Sequence, residues 1–397
     1  MTKDPRDWRR PDRVIGYGRQ TIGAADVDAV TRVLQSGWLT QGPSVRGFEA
    51  DLEAATGAEH AVAVSNGTAA LHLALLSLDI GPGSRVVTSA NTFLASATAA
   101  LMCGAEAEFV DVDPVDGNLD PAALEARLAS GEPVDAVVAV HFAGAACDLA
   151  RLLLLKQRFG FALVVDACHA LGGTTDLGGE ALRVGELRGV DAVTLSFHPV
   201  KHITTGEGGA LLLSDDERAE RARRLREHGL VRGSDRKPFA ASASTPPWFA
   251  PVDELGFNYR LSDLQATLGS SQLSRLDEFV AARRKLAARY DAELTGCLTP
   301  APSPGHAYHL YVVRVSADER DELMAWLRAG GIATQLHYYP VPLQPLFANR
   351  PGAPAEPELA FPHAVEHART AISLPIYPSL EAEDLERVLA AFGEWSS

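Results

Sequence analysis

One lysine stands in a stretch of mixed chemistry, Leu195-Ser196-Phe197-His198-Pro199-Val200-Lys201-His202-Ile203-Thr204-Thr205-Gly206-Glu207-Gly208-Gly209. Apolar runs at 190–195 and 210–213 flank it and read as buried strands. A lysine on a tight loop between two such strands is partly desolvated. Desolvation lowers an amine's pKa, and a neutral amine is a nucleophile. Lys201 is therefore expected to form a Schiff base, with a carbonyl partner that the rest of the chain must identify.

Other segments carry groups that suit one partner. In Ser65-Asn66-Gly67-Thr68-Ala69-Ala70 a glycine turn separates a strand from a helix. Free N–H groups at the helix start and the Thr68 hydroxyl could cup a phosphate, or the segment is a plain helix cap. In Val164-Val165-Asp166-Ala167-Cys168-His169, Asp166 ends an apolar strand. A buried carboxylate needs a partner such as a protonated ring nitrogen; on the surface it would cap the next turn. His169 by itself reads as structural. Phe93, in Asn91-Thr92-Phe93-Leu94-Ala95-Ser96, is either a core residue or a ring on which a flat group stacks. Asn258 and Arg260 lie in Gly256-Phe257-Asn258-Tyr259-Arg260-Leu261-Ser262-Asp263, as anion contacts or as part of a helix start capped by Ser262. Thr334-Gln335-Leu336-His337-Tyr338-Tyr339-Pro340 could form a pocket rim or an edge strand.

These groups must be positioned by the elements between them. Short apolar strands are predicted at 61–64, 85–89, 107–112, 136–140, 161–166, 192–197 and 210–213, with helices at 69–78, 93–103, 121–128 and 149–159 between the first five. Such alternation indicates an α/β fold with a mostly parallel sheet covered on both faces, and function at the carboxyl ends of its strands. Amphipathic helices at 24–35 and 45–56 precede it, and a charged helix at 215–228 follows. Residues 229–251 are rich in Gly, Ser and Pro and read as a long loop. A helical region spans 262–294. Strands at 308–315 and 332–338 and helices at 321–329 and 381–392 form a smaller α+β part. The expected organisation is an N-terminal arm at 1–20, a large domain at 21–255 and a small C-terminal domain at 256–397.

Bulk properties narrow the function classes. Hydrophobic residues make up 46% of the 397 and charged residues 22%, values of an ordinary soluble globular protein. A formal net charge of −15 argues against nucleic acid and anionic membranes as partners. The charged N-terminal segment is no signal peptide, and no long apolar run would span a membrane. The four scattered cysteines read as reduced thiols of a cytoplasmic protein, with no metal site.

A phosphate cup, a stacking ring, a carboxylate and a lysine at the ends of successive strands are what pyridoxal 5'-phosphate (PLP) requires. With these residues in place, the chain closely resembles the PLP-dependent sugar aminotransferases of the DegT/DnrJ/StrS family along nearly its whole length, through SNGTAALHLAL, SFHPVKHITTGEGGA and NYRLSDLQA. The resemblance implies the type I PLP-enzyme fold, like that of aspartate aminotransferase, and a homodimer with active sites at the subunit interface. Lys201 then matches the Schiff-base lysine and Asp166 the partner of the pyridine nitrogen. His169 matches a residue near the cofactor ring, and Phe93 the ring that stacks on it. Gly67, Thr68 and Ser196 match phosphate ligands, as does Asn258 reaching in from the other subunit. Thr40, Arg260, His337 and Tyr338 resemble positions near the nucleotide-sugar. The implied reaction uses L-glutamate as donor, passes through pyridoxamine phosphate, and aminates a nucleotide-linked keto-sugar. Within the family, Trp38-Leu39-Thr40-Gln41-Gly42-Pro43 and Tyr308-His309-Leu310-Tyr311 resemble the pseudaminic-acid pathway branch, whose product is UDP-4-amino-4,6-dideoxy-N-acetyl-β-L-altrosamine. Pro342 departs from the histidine expected there. A different keto-sugar or a keto-cyclitol is the alternative. A sugar dehydratase would carry histidine in place of Lys201, and a PLP-binding regulator would need a basic face or an added domain.

Overall fold

The computed structural model describes residues 14–239, 244–301, 303, 305–350 and 353–396. Most of the expected arm, residues 1–13, lies outside them. The central sheet is built from strands β1 (His60–Val64), β2 (Arg85–Ser89), β3 (Glu106–Val110), β4 (Ala136–Val140), β5 (Ala162–Asp166), β8 (Ala192–Ser196) and β9 (Gly209–Leu213). Between β5 and β8 a separate hairpin, β6 (Thr174–Leu177) and β7 (Glu180–Arg183), turns at Gly178-Gly179, which both have positive φ. The sheet order is β1-β9-β8-β5-β4-β2-β3. Every pairing from β8 to β3 is parallel, and only β9 runs against its neighbours. The carboxyl ends of β1, β2, β4, β5 and β8 therefore share one edge of this α/β sheet.

The strand sequences explain this layering. β4 (Ala-Val-Val-Ala-Val) is buried throughout, as a strand covered on both faces must be. β3 closes one edge with Glu106 and Glu108; Glu108 pairs with Arg127 at 2.6 Å, which blunts the edge against further strand addition. One face packs against the helix Gly67–Ser77, nearly all of it buried. On the other face the helices Pro43–Thr56 and Leu149–Phe159 join a core that includes Phe48, Leu52, Leu152 and Phe197.

A smaller core gathers around β10 (Tyr311–Arg314) and β11 (Ala371–Leu374), an antiparallel pair, with the helices Arg320–Ala329 and Ala382–Ser396. The predicted helical region at 262–294 is two helices, Asp263–Leu273 and Leu276–Glu293. At the break the Ser274 hydroxyl donates to the Ser271 carbonyl (2.7 Å), a local bond that competes with helix continuation. The second helix links the cores: Leu276, Phe279 and Val280 belong to the large one, Ala287 and Tyr290 to the small one.

Two strand predictions need correction. Residues 332–338 make only isolated pairings, Ile15 with Ile332 and Gln335 with Ser373, because the chain passes from the N-terminal segment to the edge of β11 without a continuous ladder. The predicted strand at 308–315 begins only at Tyr311: Tyr308 has φ 48°, a left-handed conformation that breaks extended backbone. The described residues of 229–251 form neither helix nor strand, as expected for a loop.

Candidate active site

A cleft of about 920 Å³ opens at the carboxyl edge of the sheet. Gly67, Thr68, Phe93, Asp166, His169, Ser196, Lys201, His337 and Tyr338 all line it. Thr40, Asn258 and Arg260 do not. Each is held by an isolated backbone pairing, Thr40 with Ser262, Asn258 with Glu227 and Arg260 with Val64. Tyr259, between the last two, does face the cleft, and its hydroxyl lies 3.2 Å from His72 Nδ1. Alternation along an extended segment turns neighbours to opposite sides.

The helix start at β1 combines the cap and the cup. Asn66 Oδ1 accepts from the Ala69 N–H (2.8 Å) and the Asn66 carbonyl from the Ala70 N–H. The first N–H groups of a helix have no intrahelical acceptor, so those of Gly67 and Thr68 are available to an anion at the positive end of the helix dipole. A Cβ on Gly67 would lie 3.1 Å from Ser196 Cβ and 3.2 Å from Cys168 Sγ. The turn thus closes tightly on the ends of β5 and β8. Gly209 allows the approach from below. Its Cβ would stand 2.5 Å from the Asn66 carbonyl carbon and 2.7 Å from Gly67 N, both backbone atoms that cannot swing away. Gly209→Ala is expected to displace this turn and destabilise the protein by about 1–3 kcal/mol, with weaker phosphate binding; thermal melting and PLP titration would measure both.

Asp166 is buried, which removes the surface-cap reading. Ser96 donates to its Oδ2 (2.8 Å), Thr92 donates to Ser96 (2.8 Å), and the Cys168 N–H donates to Oδ1 (3.1 Å). The carboxylate is held in one orientation with capacity left for a cationic partner. Phe93 is 53% exposed, so it is no core residue; its ring centroid stands 6.1 Å from that of Tyr338 in the cleft.

Lys201 is half-buried, and its Nζ lies 3.4 Å from His309 Nε2. Burial in dense protein lowers its pKa, the nearby Cys168 and Asp166 oppose that shift, and Arg283 reinforces it. His309 packs against His169 with ring centroids 4.3 Å apart and planes tilted by 43°, and the Tyr338 hydroxyl lies 3.2 Å from His169 Nε2. Burial, then the charge of Lys201, holds both imidazoles well below the usual histidine range. His169 Nδ1 and His309 Nδ1 are buried with no hydrogen-bond partner among the described residues. Sequence reading missed Ser96 and His309 as site residues. Thr92 and Ser96 at i, i+4 on a helix start was the available local signal for the first; no local pattern points to the second.

Four more buried histidines behave alike. Burial pushes His141 and His367 down to about 4, and His306 and His337 to about 3. In the unfolded chain these groups protonate near 6.5. Between these values the unfolded state binds more protons, so stability is full above pH 6.5 and falls as pH drops toward 4. Urea midpoints are expected to fall from pH 7 to pH 5, with about 2 kcal/mol lost per buried histidine at pH 5. A flat profile over that range would contradict burial of the neutral rings.

The residues fit PLP by their chemistry. Unclaimed helix N–H groups suit a phosphate, a buried carboxylate suits a pyridinium, an exposed ring suits stacking, and a desolvated amine suits an aldehyde. The comparisons agree. A profile of the DegT/DnrJ/EryC1/StrS aminotransferase family matches residues 20–393. The spore coat polysaccharide biosynthesis protein SpsC of Bacillus subtilis (strain 168) is 35% identical over 393 residues, covering 96% of this chain and 97% of that protein. The putative sugar aminotransferase Spr1654 of Streptococcus pneumoniae, solved in its PLP form, superposes with a TM-score of 0.84 at 27% identity over 96% of this chain and 98% of its own. PseC of Helicobacter pylori, an aminotransferase involved in the biosynthesis of pseudoaminic acid, superposes with a TM-score of 0.83 at 26% identity over 96% and 99%. The sheet order, the gathered cleft and these matches together place the chain in the DegT/DnrJ/EryC1/StrS family, with the type I fold of PLP-dependent sugar aminotransferases.

Proposed function

We propose that this enzyme moves an amino group from L-glutamate to carbon 4 of a nucleotide-linked 4-keto-6-deoxy sugar. The observation that carries the reading is the cleft's floor: Lys201 Nζ, Asp166 and the Gly67-Thr68 helix start converge at one sheet edge. When bound there, PLP supplies an electron sink for the carbanion formed beside the transferred nitrogen. Lys201 would hold it through Nζ, and the same amine, when free, would be the group that moves a proton at the donor's α-carbon and at the sugar's carbon 4. Asp166 would hold the ring nitrogen protonated, Phe93 would stack on the ring, His169 would lie near it, and Gly67, Thr68 and Ser196 would bind the phosphate. His337 and Tyr338, on the segment that covers the cleft, face the incoming sugar; Thr40 and Arg260 act at its nucleotide end.

The assembly we propose is a homodimer, with Asn258 of each chain serving the phosphate of the other. Asn258 is exposed and lies off the cleft of its own chain, as that role requires. A cytoplasmic location follows from the nucleotide-sugar substrate. Among the described residues no helix is long and apolar enough to cross a membrane.

UDP-2-acetamido-2,6-dideoxy-β-L-arabino-hex-4-ulose is the first candidate acceptor, from the likeness to the pseudaminic-acid branch. A second reading, a different nucleotide keto-sugar or a keto-cyclitol, draws support from Pro342, which sits buried in the turn Val341–Leu343 where that branch leads one to expect histidine. The higher identity to SpsC than to PseC points the same way. A panel of UDP- and dTDP-linked 4-keto-sugars and keto-cyclitols, each incubated with glutamate and read by mass spectrometry, separates these. Turnover of the arabino-hexulose at the highest kcat/KM is expected; a mass gain only with another acceptor selects the second reading.

A further inference from the structure

Arg283 is a buried cation without an anion. It lies midway along the helix Leu276–Glu293, where that helix passes from the large core to the small one, and it is fully buried. No carboxylate among the described residues forms an ion pair with it. Its Nη1 instead donates to the carbonyls of Tyr308 (3.1 Å), His309 (3.2 Å) and Ile376 (2.9 Å), and its Nη2 lies 3.4 Å from the carbonyl of Val200. These acceptors belong to three separate segments: the loop just before Lys201, the connector bearing His309, and the chain after β11. A buried guanidinium with no carboxylate beside it is costly to desolvate. Its presence between the two cores calls for another reason.

That reason is legible in what it touches. Val200 directly precedes Lys201, and His309 is the residue whose Nε2 meets Nζ. The left-handed backbone of Tyr308 aims successive carbonyls, those of Tyr308 and His309, at the same guanidinium nitrogen. We propose that Arg283 is a positioning residue for Lys201: its carbonyl-bound guanidinium pins both sides of the Lys201–His309 contact and sets an unpaired positive charge against protonation of the amine. This rests on the reading of Lys201 as the covalent anchor.

Burial is the largest influence on the amine, and the groups facing Lys201 leave few formal charges beside it. His169, His202, His309 and His337 are all held uncharged by burial, and Cys168 stays a thiol because burial raises its pKa. The formal charges acting on the amine are then Asp166, which favours the ammonium form, and Arg283, which opposes it.

The test uses the full-length protein stripped of cofactor. Trace acetic anhydride is applied over a pH series, and acetylation of each lysine is read by peptide mass spectrometry. Lys237, which is exposed, is the internal reference. In the wild type the Lys201 midpoint is expected below that of Lys237. Arg283→Gln removes the charge and should raise it by about one pH unit. Arg283→Lys keeps the charge but cannot span four carbonyls; its midpoint should stay near wild type, while the rate of borohydride-trapped PLP attachment to Lys201 falls in both variants. A wild-type midpoint equal to that of Lys237 overturns the proposal. So does a folded Arg283→Gln with an unmoved midpoint, or an Arg283→Lys midpoint that follows it. If Arg283→Gln does not fold, the wild-type and Arg283→Lys measurements still decide. Absence of trapped PLP on wild-type Lys201 would instead sink the anchor assignment, a separate outcome.

Discussion

Lys201→Ala is expected to lower transamination by about 10⁴-fold or more, since one truncation removes both the covalent anchor and the acid–base group. The fold should survive. Lys201 Nζ makes one contact at 3.4 Å, and removing a half-buried amine relieves desolvation without leaving a paired charge exposed. Single-turnover assays with glutamate, alongside thermal melting, give the two readouts. A well-folded Lys201→Ala that still cycles at a hundredth of the wild-type rate would remove this residue from the chemistry. An inactive variant with a collapsed melting temperature would instead show that the loop needs the lysine to fold, against the contacts observed.

Asp166→Asn carries the second large effect, about 10²–10³-fold in kcat. The amide keeps the size of the carboxylate; its oxygen can still accept from the Cys168 N–H while its NH2 group donates to the Ser96 hydroxyl oxygen, so the loops should keep their places. What it loses is the negative charge that holds a ring nitrogen protonated. Without that proton the ring is a poorer electron sink, and the carbanion step slows. The loss should fall mainly on kcat, because the phosphate site proposed at Gly67 and Thr68 is untouched. A variant with unchanged kcat but much weaker PLP binding would reassign Asp166 from ring electronics to simple anchoring. Ser96 offers a graded control. Ser96→Ala frees the carboxylate from its hydroxyl without removing the charge, and its kcat should lie between those of the wild type and Asp166→Asn.

Local pattern made much of this legible. β4 and β9 could be read because strands buried on both faces must be apolar along their whole length. The capped helix start at Gly67 and Thr68 could be read because a glycine between strand and helix has a restricted set of uses. The type I fold followed from strand–helix alternation together with the family motifs. The strand at 332–338 was misplaced for the opposite reason. Apolar alternation there reflects contacts with two different segments, Ile15 and Ser373, rather than one ladder. The hairpin β6–β7 was passed over because its strands are four residues each and largely exposed at β7, too short for a period to register.

The candidate lysine could be picked out from the order of residues alone, since spacing, capping and burial pattern act over a few neighbours. The groups that tune it were not. Ser96 reaches Asp166 across 70 residues and His309 reaches Lys201 across 108, and Arg283 gathers the carbonyls of Val200, Tyr308, His309 and Ile376 from three segments. Such contacts arise when two cores close on the helix Leu276–Glu293, and nothing in the local sequence of any one partner encodes them. The identity of the reactive amine is a local property of the chain; its protonation state, orientation and neighbours are properties of the packed molecule, because charge and solvation depend on what folding brings near.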